Sequence, residues 1–187
     1  MTSNSNLPEL IELIKLKSLS FGDFTLSSGA RSSYYIDCRK TTMSARGLQL
    51  IGELGLQAIR QNSWAPEAVG GLTLGADPVS YAIAAASDNS PTPVDAFTVR
   101  KEPKGHGTRS AIEGCFPETG SVVVIEDVIT TGASALKAID VVLANGIEVD
   151  GVLAVVNRDA GGVAAIDAQG VQCVTLVSLS DLGVVQR

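Results

Sequence analysis

Glu126 and Asp127 stand side by side at the end of an apolar run, in the stretch VVVIEDVITTGAS over residues 122–134. Thr130, Thr131, Gly132, Ala133 and Ser134 follow at once. A run of Val and Ile reads as a buried strand, and the Thr/Gly loop opens the next helix. The first amides of a helix lack partners within it and lie at the positive end of its dipole. With the hydroxyls of Thr130, Thr131 and Ser134 they make a cup suited to phosphate. Carboxylates repel phosphate but accept hydrogen bonds from sugar hydroxyls. A ligand with hydroxyls at one end and phosphate at the other satisfies both groups, and ribose 5-phosphate is such a ligand. The plainer reading is a capped helix beside two solvated acids. The phosphate-binding patterns G-x-x-x-x-G-K-S/T and G-x-G-x-x-G are both absent.

Three further clusters carry chemistry. GLTLGADP (71–78) is a glycine-rich turn in which Gly71 and Gly75 allow close backbone approach. VRKEPKGHGTRSAIEG (99–114) gathers Arg100, Lys101, Lys104 and Arg109 with His106, the chain's only histidine. It has no apolar period and reads as a mobile surface loop. An ordinary basic run is a solvated face, but in an acidic protein such cations can neutralise a polyphosphate. Arg158, in NRD (157–159), reads either as a surface ion pair with Asp159 or as a ligand for an anion.

The elements that must position these groups follow from periodicity. LPELIELIKLKS repeats Leu10, Leu13, Ile14 and Leu16 at helical spacing, with Pro8 near its start. FGDFTLSSGARSSYYIDCRK reads as a hairpin or irregular strands. SARGLQLIGELGLQAIRQN is a helix by Leu48, Ile51, Leu54 and Ile59, capped by Ser44. AVGG, PVDAFTVRK, SVVVIED, DGVLAVVNRD and VQCVTLVSL read as strands. ADPVSYAIAAAS and SALKAIDVVLANG read as helices, the second with Leu136, Ile139 and Leu143 on one face and Gly146 as its stop. Apolar strands alternating with helices predict an α/β fold, a parallel sheet covered on both faces. Ligands of such sheets bind at the carboxyl ends of the strands, where 70–77, 126–134 and 157–159 all fall.

The chain has 187 residues, 45% apolar and 18% charged, which suits one domain with its own core. The net charge of −6 argues against a nucleic-acid or anionic-membrane partner. Cys38, Cys115 and Cys173 are odd in number and far apart, which predicts reduced thiols and no structural zinc. No signal peptide or bilayer-spanning run is evident, so a soluble cytoplasmic protein is expected.

Residues 122–134 closely resemble the phosphoribosyl-pyrophosphate (PRPP) signature of type I phosphoribosyltransferases. The segment from Arg100 resembles the catalytic loop of orotate phosphoribosyltransferases, R-K-x-x-K-x-H-G, which Arg100, Lys101, Lys104 and His106 match position by position. The resemblance runs from about residue 18 to about 182. It implies a Rossmann-like, mostly parallel central sheet flanked by helices, as one domain over 1–187, with a small N-terminal hood over about 1–42. It implies PRPP binding by Arg100, Lys101, Lys104, His106, Glu126, Asp127, Val128, Ile129, Thr130, Thr131, Gly132, Ala133 and Ser134. By the same resemblance GLTLGADP is the pyrophosphate loop. Lys101, Lys104, His106 and Asp127 would act in catalysis, and Thr130 and Arg158 would hold orotate. Tyr34 and Tyr35 would lie near the base, although core packing suits them equally.

Mg²⁺ would be held through the substrate, with Asp127 as the protein carboxylate nearest to it. A homodimer with shared sites and a closing loop is implied as well. The chain departs from many bacterial members at Ser27, where they carry lysine; Arg31 is the candidate substitute. The expected reaction joins orotate to the phosphoribosyl group, giving orotidine 5′-monophosphate. Alternatives are transfer to adenine or xanthine, and a non-catalytic PRPP-binding regulator.

Overall fold

The computed structural model describes residues 6–25, 29, 31–102 and 111–184. Helix α1 (Asn6–Lys17) leads into an antiparallel hairpin, β1 (Leu19–Thr25) and β2 (Arg31–Ile36). A short helix α2 (Arg39–Thr42) and the long α3 (Ala45–Gln61) follow. Ser44 caps α3 as expected, its hydroxyl accepting from the Gly47 amide. Then come β3 (Ala68–Leu72), α4 (Ala76–Ser87), β4 (Asp95–Val99), β5 (Ile112–Gly114), β6 (Ser121–Ile129), α5 (Ala133–Ala144), β7 (Glu148–Asn157), α6 (Gly162–Asp167) and β8 (Cys173–Ser178).

The six strands β3–β8 form one sheet in the order β5-β4-β3-β6-β7-β8, parallel throughout except for β5. The chain passes from β3 outward to β4 and later returns to the other side of β3 as β6. Loops leaving β3 and β6 therefore diverge, and a crevice opens between their carboxyl ends. The ladders widen it. Pairing of β3 with β6 ends at Gly70↔Val124, two residues before Glu126, whereas β6 follows β7 as far as Ile129↔Asn157.

The core lies on both faces of the sheet. Val123 and Ile125 pack with Leu10, Ile51, Ile59 and Ile83 on one side. Val122 and Val124 pack with Ala138, Ile139 and Val142 of α5 on the other. Alternation along β6 thus buries every residue from 122 to 125 completely, each side chain contributing about 1.5–3 kcal/mol.

Three expectations change. Leu16 is 81% and Leu143 54% exposed. In α5 the buried stripe is Ala135, Ala138, Ile139 and Val142, offset by one residue from the expected face and built on small side chains that let the helix lie close to β6. The segment 99–114 is also not loop throughout. Ile112–Gly114 pairs with β4, with Ile112 buried opposite Val99. A three-residue edge strand is too short to announce itself by period. Gly71 lies within β3 rather than in the turn, where a Cβ would collide with the Ile125 carbonyl and the Ala76 side chain.

Candidate active site

A cavity of about 320 Å³ opens at the carboxyl ends of β3, β4, β6 and β7. Its floor is Glu126, Asp127 and Val128 from β6, with Thr130 and Ser134 of the following loop and helix. One wall is Leu72, Thr73, Leu74 and Gly75, where the Thr73–Leu74 peptide is cis. The opposite wall comes from the hairpin and α2, from Tyr35 to Arg39, and Lys101 and Arg158 close the sides.

The turn after β6 is held by backbone. Arg158 N donates to Ile129 O, and Gly162 N donates to Thr130 O at 2.8 Å. Gly132 takes φ +80° at the N-cap of α5, where a Cβ would meet the Gly162 carbonyl at 2.9 Å. Being glycine, it brings no side-chain oxygen to the first turn, so the helix-start amides keep their capacity for an anion. Ile129 is buried in the core, and Thr131 and Ala133 are exposed outside the cavity lining.

The two acids have different environments. Glu126 is 8% exposed. Burial, and then the Asp127 charge beside it, pushes its carboxyl up to about 8, while Lys101 pulls the other way. The acids are thus not an equally solvated pair. Asp127 lies on the α4 side, its Oδ1 accepting from the Val128 amide at 2.8 Å. A Cβ on Gly75 would stand 2.6 Å from that same Oδ1. The chain before α4 must therefore be glycine if Asp127 is to keep its place.

At the base end, the Arg158 guanidinium lies 5.1 Å from the centroid of the Tyr34 ring, a cation–π contact. Asp159 turns back to accept from the Asn157 amide group at 2.7 Å. Tyr35 lines the cavity, its ring 5.6 Å from that of Phe24. Tyr34 packs against the core under Arg158. Alternation along β2 thus gives the two tyrosines different surroundings. Arg31 ion-pairs with Asp23 at 3.4 Å, exposed, and does not line the cavity. Ser27 lies outside the described residues.

Of the basic segment, Lys101 reaches the cavity. Arg100 turns to Glu113 at 3.2 Å, and its amide donates to Ala111 O at 2.7 Å, which cinches the neck of the segment. Lys137 Nζ donates to the Lys101 carbonyl at 2.6 Å. Lys104, His106 and Arg109 lie outside the described residues.

Sequence reasoning missed Asp37, Cys38 and Arg39, which line the cavity. Arg39 Nε donates to Asp37 Oδ1 at 2.8 Å, and that guanidinium holds Asp37 below the usual carboxylate range. Burial, with the charges of Asp127 and Asp37, pushes the Cys38 thiol up, so it stays protonated. The opposite charges of Asp37 and Arg39 just after the hairpin were the available signal.

No family model matches the chain. Orotate phosphoribosyltransferase from Thermosynechococcus vestitus is 49% identical over 177 residues, covering 93% of this chain and 91% of that sequence. Mycobacterium tuberculosis orotate phosphoribosyltransferase in complex with Fe(III) dicitrate superposes with a TM-score of 0.84 at 44% identity, covering 96% of this chain and 99% of that one. The same enzyme in complex with PRPP gives a TM-score of 0.80 at 40% identity, with the same coverage. Identity of this order along nearly the whole of both sequences leaves one reading of the ancestry: the chain belongs to the orotate phosphoribosyltransferase family.

Proposed function

We propose that the chain transfers the 5-phosphoribosyl group of PRPP to orotate, releasing pyrophosphate and giving orotidine 5′-monophosphate for de novo pyrimidine synthesis. The observation that carries this is the convergence in one cavity of the Glu126–Asp127 pair, Thr130 and Ser134 of the cup, Lys101 and Arg158. The cup takes the 5′-phosphate, from Thr130 to Ser134. Glu126 and Asp127 hold the ribose hydroxyls. The loop 73–75 receives the pyrophosphate. Arg158, braced by Tyr34, forks onto the orotate carboxylate, with Thr130 and Tyr35 beside the ring.

Orotate N1 forms a bond to C1 of the ribose as the bond from C1 to the pyrophosphate oxygen breaks, and the N1 proton passes to solvent water. Positive charge grows on the sugar, where the Asp127 carboxylate favours it. Negative charge grows on pyrophosphate, which Lys101, Lys104 and His106 would stabilise. Arg100 belongs to the same PRPP-binding loop, and closure of that loop excludes water from the donor.

Among the described residues no group of three or more His, Cys, Asp or Glu gathers to hold a metal. Two carboxylates crowded in one cavity, one pushed up to about 8 by burial and its neighbour, still suit a nearby cation. Mg²⁺ would be held mainly by PRPP oxygens near Asp127, and when bound it supplies charge neutralisation at the pyrophosphate.

The protein is read as one domain over 1–187, with a hood over about 1–42, acting in the cytoplasm as a homodimer. Among the described residues no helix is long and apolar enough to cross a membrane. Mixing Lys104→Ala subunits with Asp127→Asn subunits tests shared sites: partial recovery of activity supports them, and none in confirmed heterodimers contradicts them. The substrate assignment is tested with orotate, adenine, xanthine and uracil, each with PRPP and Mg²⁺. Loss of orotate absorbance alone is expected; turnover of another base in its place would overturn the assignment.

A further inference from the structure

Asp77 sits in the first turn of α4, close to an anion site, where a carboxylate works against a phosphorylated ligand. Its oxygens are both engaged. Thr73 Oγ1 donates to Oδ2 at 2.7 Å, and Thr98 Oγ1 donates to Oδ1 at 2.9 Å. Tyr81 OH lies 3.2 Å from Thr98 Oγ1. Thr98 has given its one proton to Asp77, so the phenol is the donor in that contact. The Thr73 amide also donates to the Val99 carbonyl at 2.8 Å. The first residue after β3 is therefore fixed at two points, by main chain to the end of β4 and by side chain to Asp77. Thr73 walls the cavity and Asp77 does not.

We infer that Asp77 is a positioning residue that clamps the 73–75 loop to the end of β4, in the shape that receives the pyrophosphate group of the donor. The inference rests on the reading given under Proposed function. The clamp joins the two segments that flank the leaving group, because β4 runs straight into Arg100 and Lys101. It also commits the Thr73 proton to Asp77, so the loop meets an anion through backbone amides at the start of α4. A helix-capping acid alone would need neither threonine.

Steady-state kinetics and thermal melts of Asp77→Ala, Thr73→Val and Thr73→Ser test the clamp. Wild-type turnover with orotate and PRPP is measured first, and its absence would overturn the functional reading. Given that turnover, Asp77→Ala and Thr73→Val should each raise the KM for PRPP about tenfold, the scale of one lost hydrogen bond to a charged group. The KM for orotate should stay within about twofold, since its contacts are elsewhere. The double variant should be no worse than either single one, because both break the same link. Thr73→Ser should restore the donor KM. A donor KM unchanged in Thr73→Val, or Thr73→Ser no better than Thr73→Val, would overturn the clamp while leaving the reaction standing. Should Asp77→Ala fail to fold, the threonine variants decide alone.

Discussion

Gly75 and Asp127 are packed so closely that a methyl group on Gly75 would stand 2.6 Å from the carboxylate Oδ1. Asp127 cannot yield without losing the bond its Oδ1 accepts from the Val128 amide. Gly75→Ala should therefore push the carboxylate away from the ribose and raise the KM for PRPP about tenfold, the weight of one charged hydrogen bond of about 1.5 kcal/mol. The melting temperature should change little. Kinetics beside a melt would check both, and a fall in stability without a change in KM would show that the contact matters only for packing.

Burial and then the Asp127 charge push Glu126 up to about 8, which favours its protonated form in the ligand-free site. A carboxyl raised in the fold binds more protons there than in the unfolded chain, so stability falls as pH rises from the ordinary carboxylate value of 4.5 toward 8. Glu126→Gln should remove that loss, and its advantage in melting temperature over the wild type should grow from about pH 5 to about pH 9. Ionised Glu126 is the better acceptor for ribose hydroxyls. The wild-type kcat/KM for PRPP should therefore rise with pH through this range, and the glutamine variant should lack that limb.

Lys101 borders the cavity, and its carbonyl is fixed by Lys137. Lys101→Ala should lower turnover by about two to three orders of magnitude, the cost of one preorganised donor to a developing charge. Single-turnover rates would show it. Unchanged turnover would remove this lysine from the mechanism.

Arg158 over Tyr34 sets a test of base recognition. Lysine keeps the charge but loses the flat two-pronged donor. Arg158→Lys should raise the KM for orotate about tenfold or more and leave that for PRPP within about twofold. A parallel rise in both would place Arg158 in general packing instead.

Most of the sheet was legible because its central stretches, Ala68–Gly71, Val122–Ile125 and Gly151–Val156, are apolar on both faces, and α3 announced itself by Ser44 and a long apolar stripe. The chemistry of 126–134 was legible because acids beside a Thr/Gly loop have few structural uses. What escaped depends on pairing rather than pattern. β5 exists only because Val99 offers Ile112 a partner. Asp37, Cys38 and Arg39 enter the cavity only because the hairpin folds back toward β6 and β7. The link from Thr73 to Asp77 to Thr98 spans two loops and a strand, which no local window can see. The largest cause of the upward shift at Glu126 is burial among packed elements, which its neighbours in sequence do not reveal.

Calorimetric titration of PRPP with Mg²⁺ tests most directly that Glu126, Asp127 and the cup after them grip one activated sugar. The wild-type protein should bind one donor per chain, and a Glu126→Ala/Asp127→Ala double variant that melts like the wild type should give no heat at the same concentrations. Equal binding by the two proteins, or none by the wild type, would contradict the account.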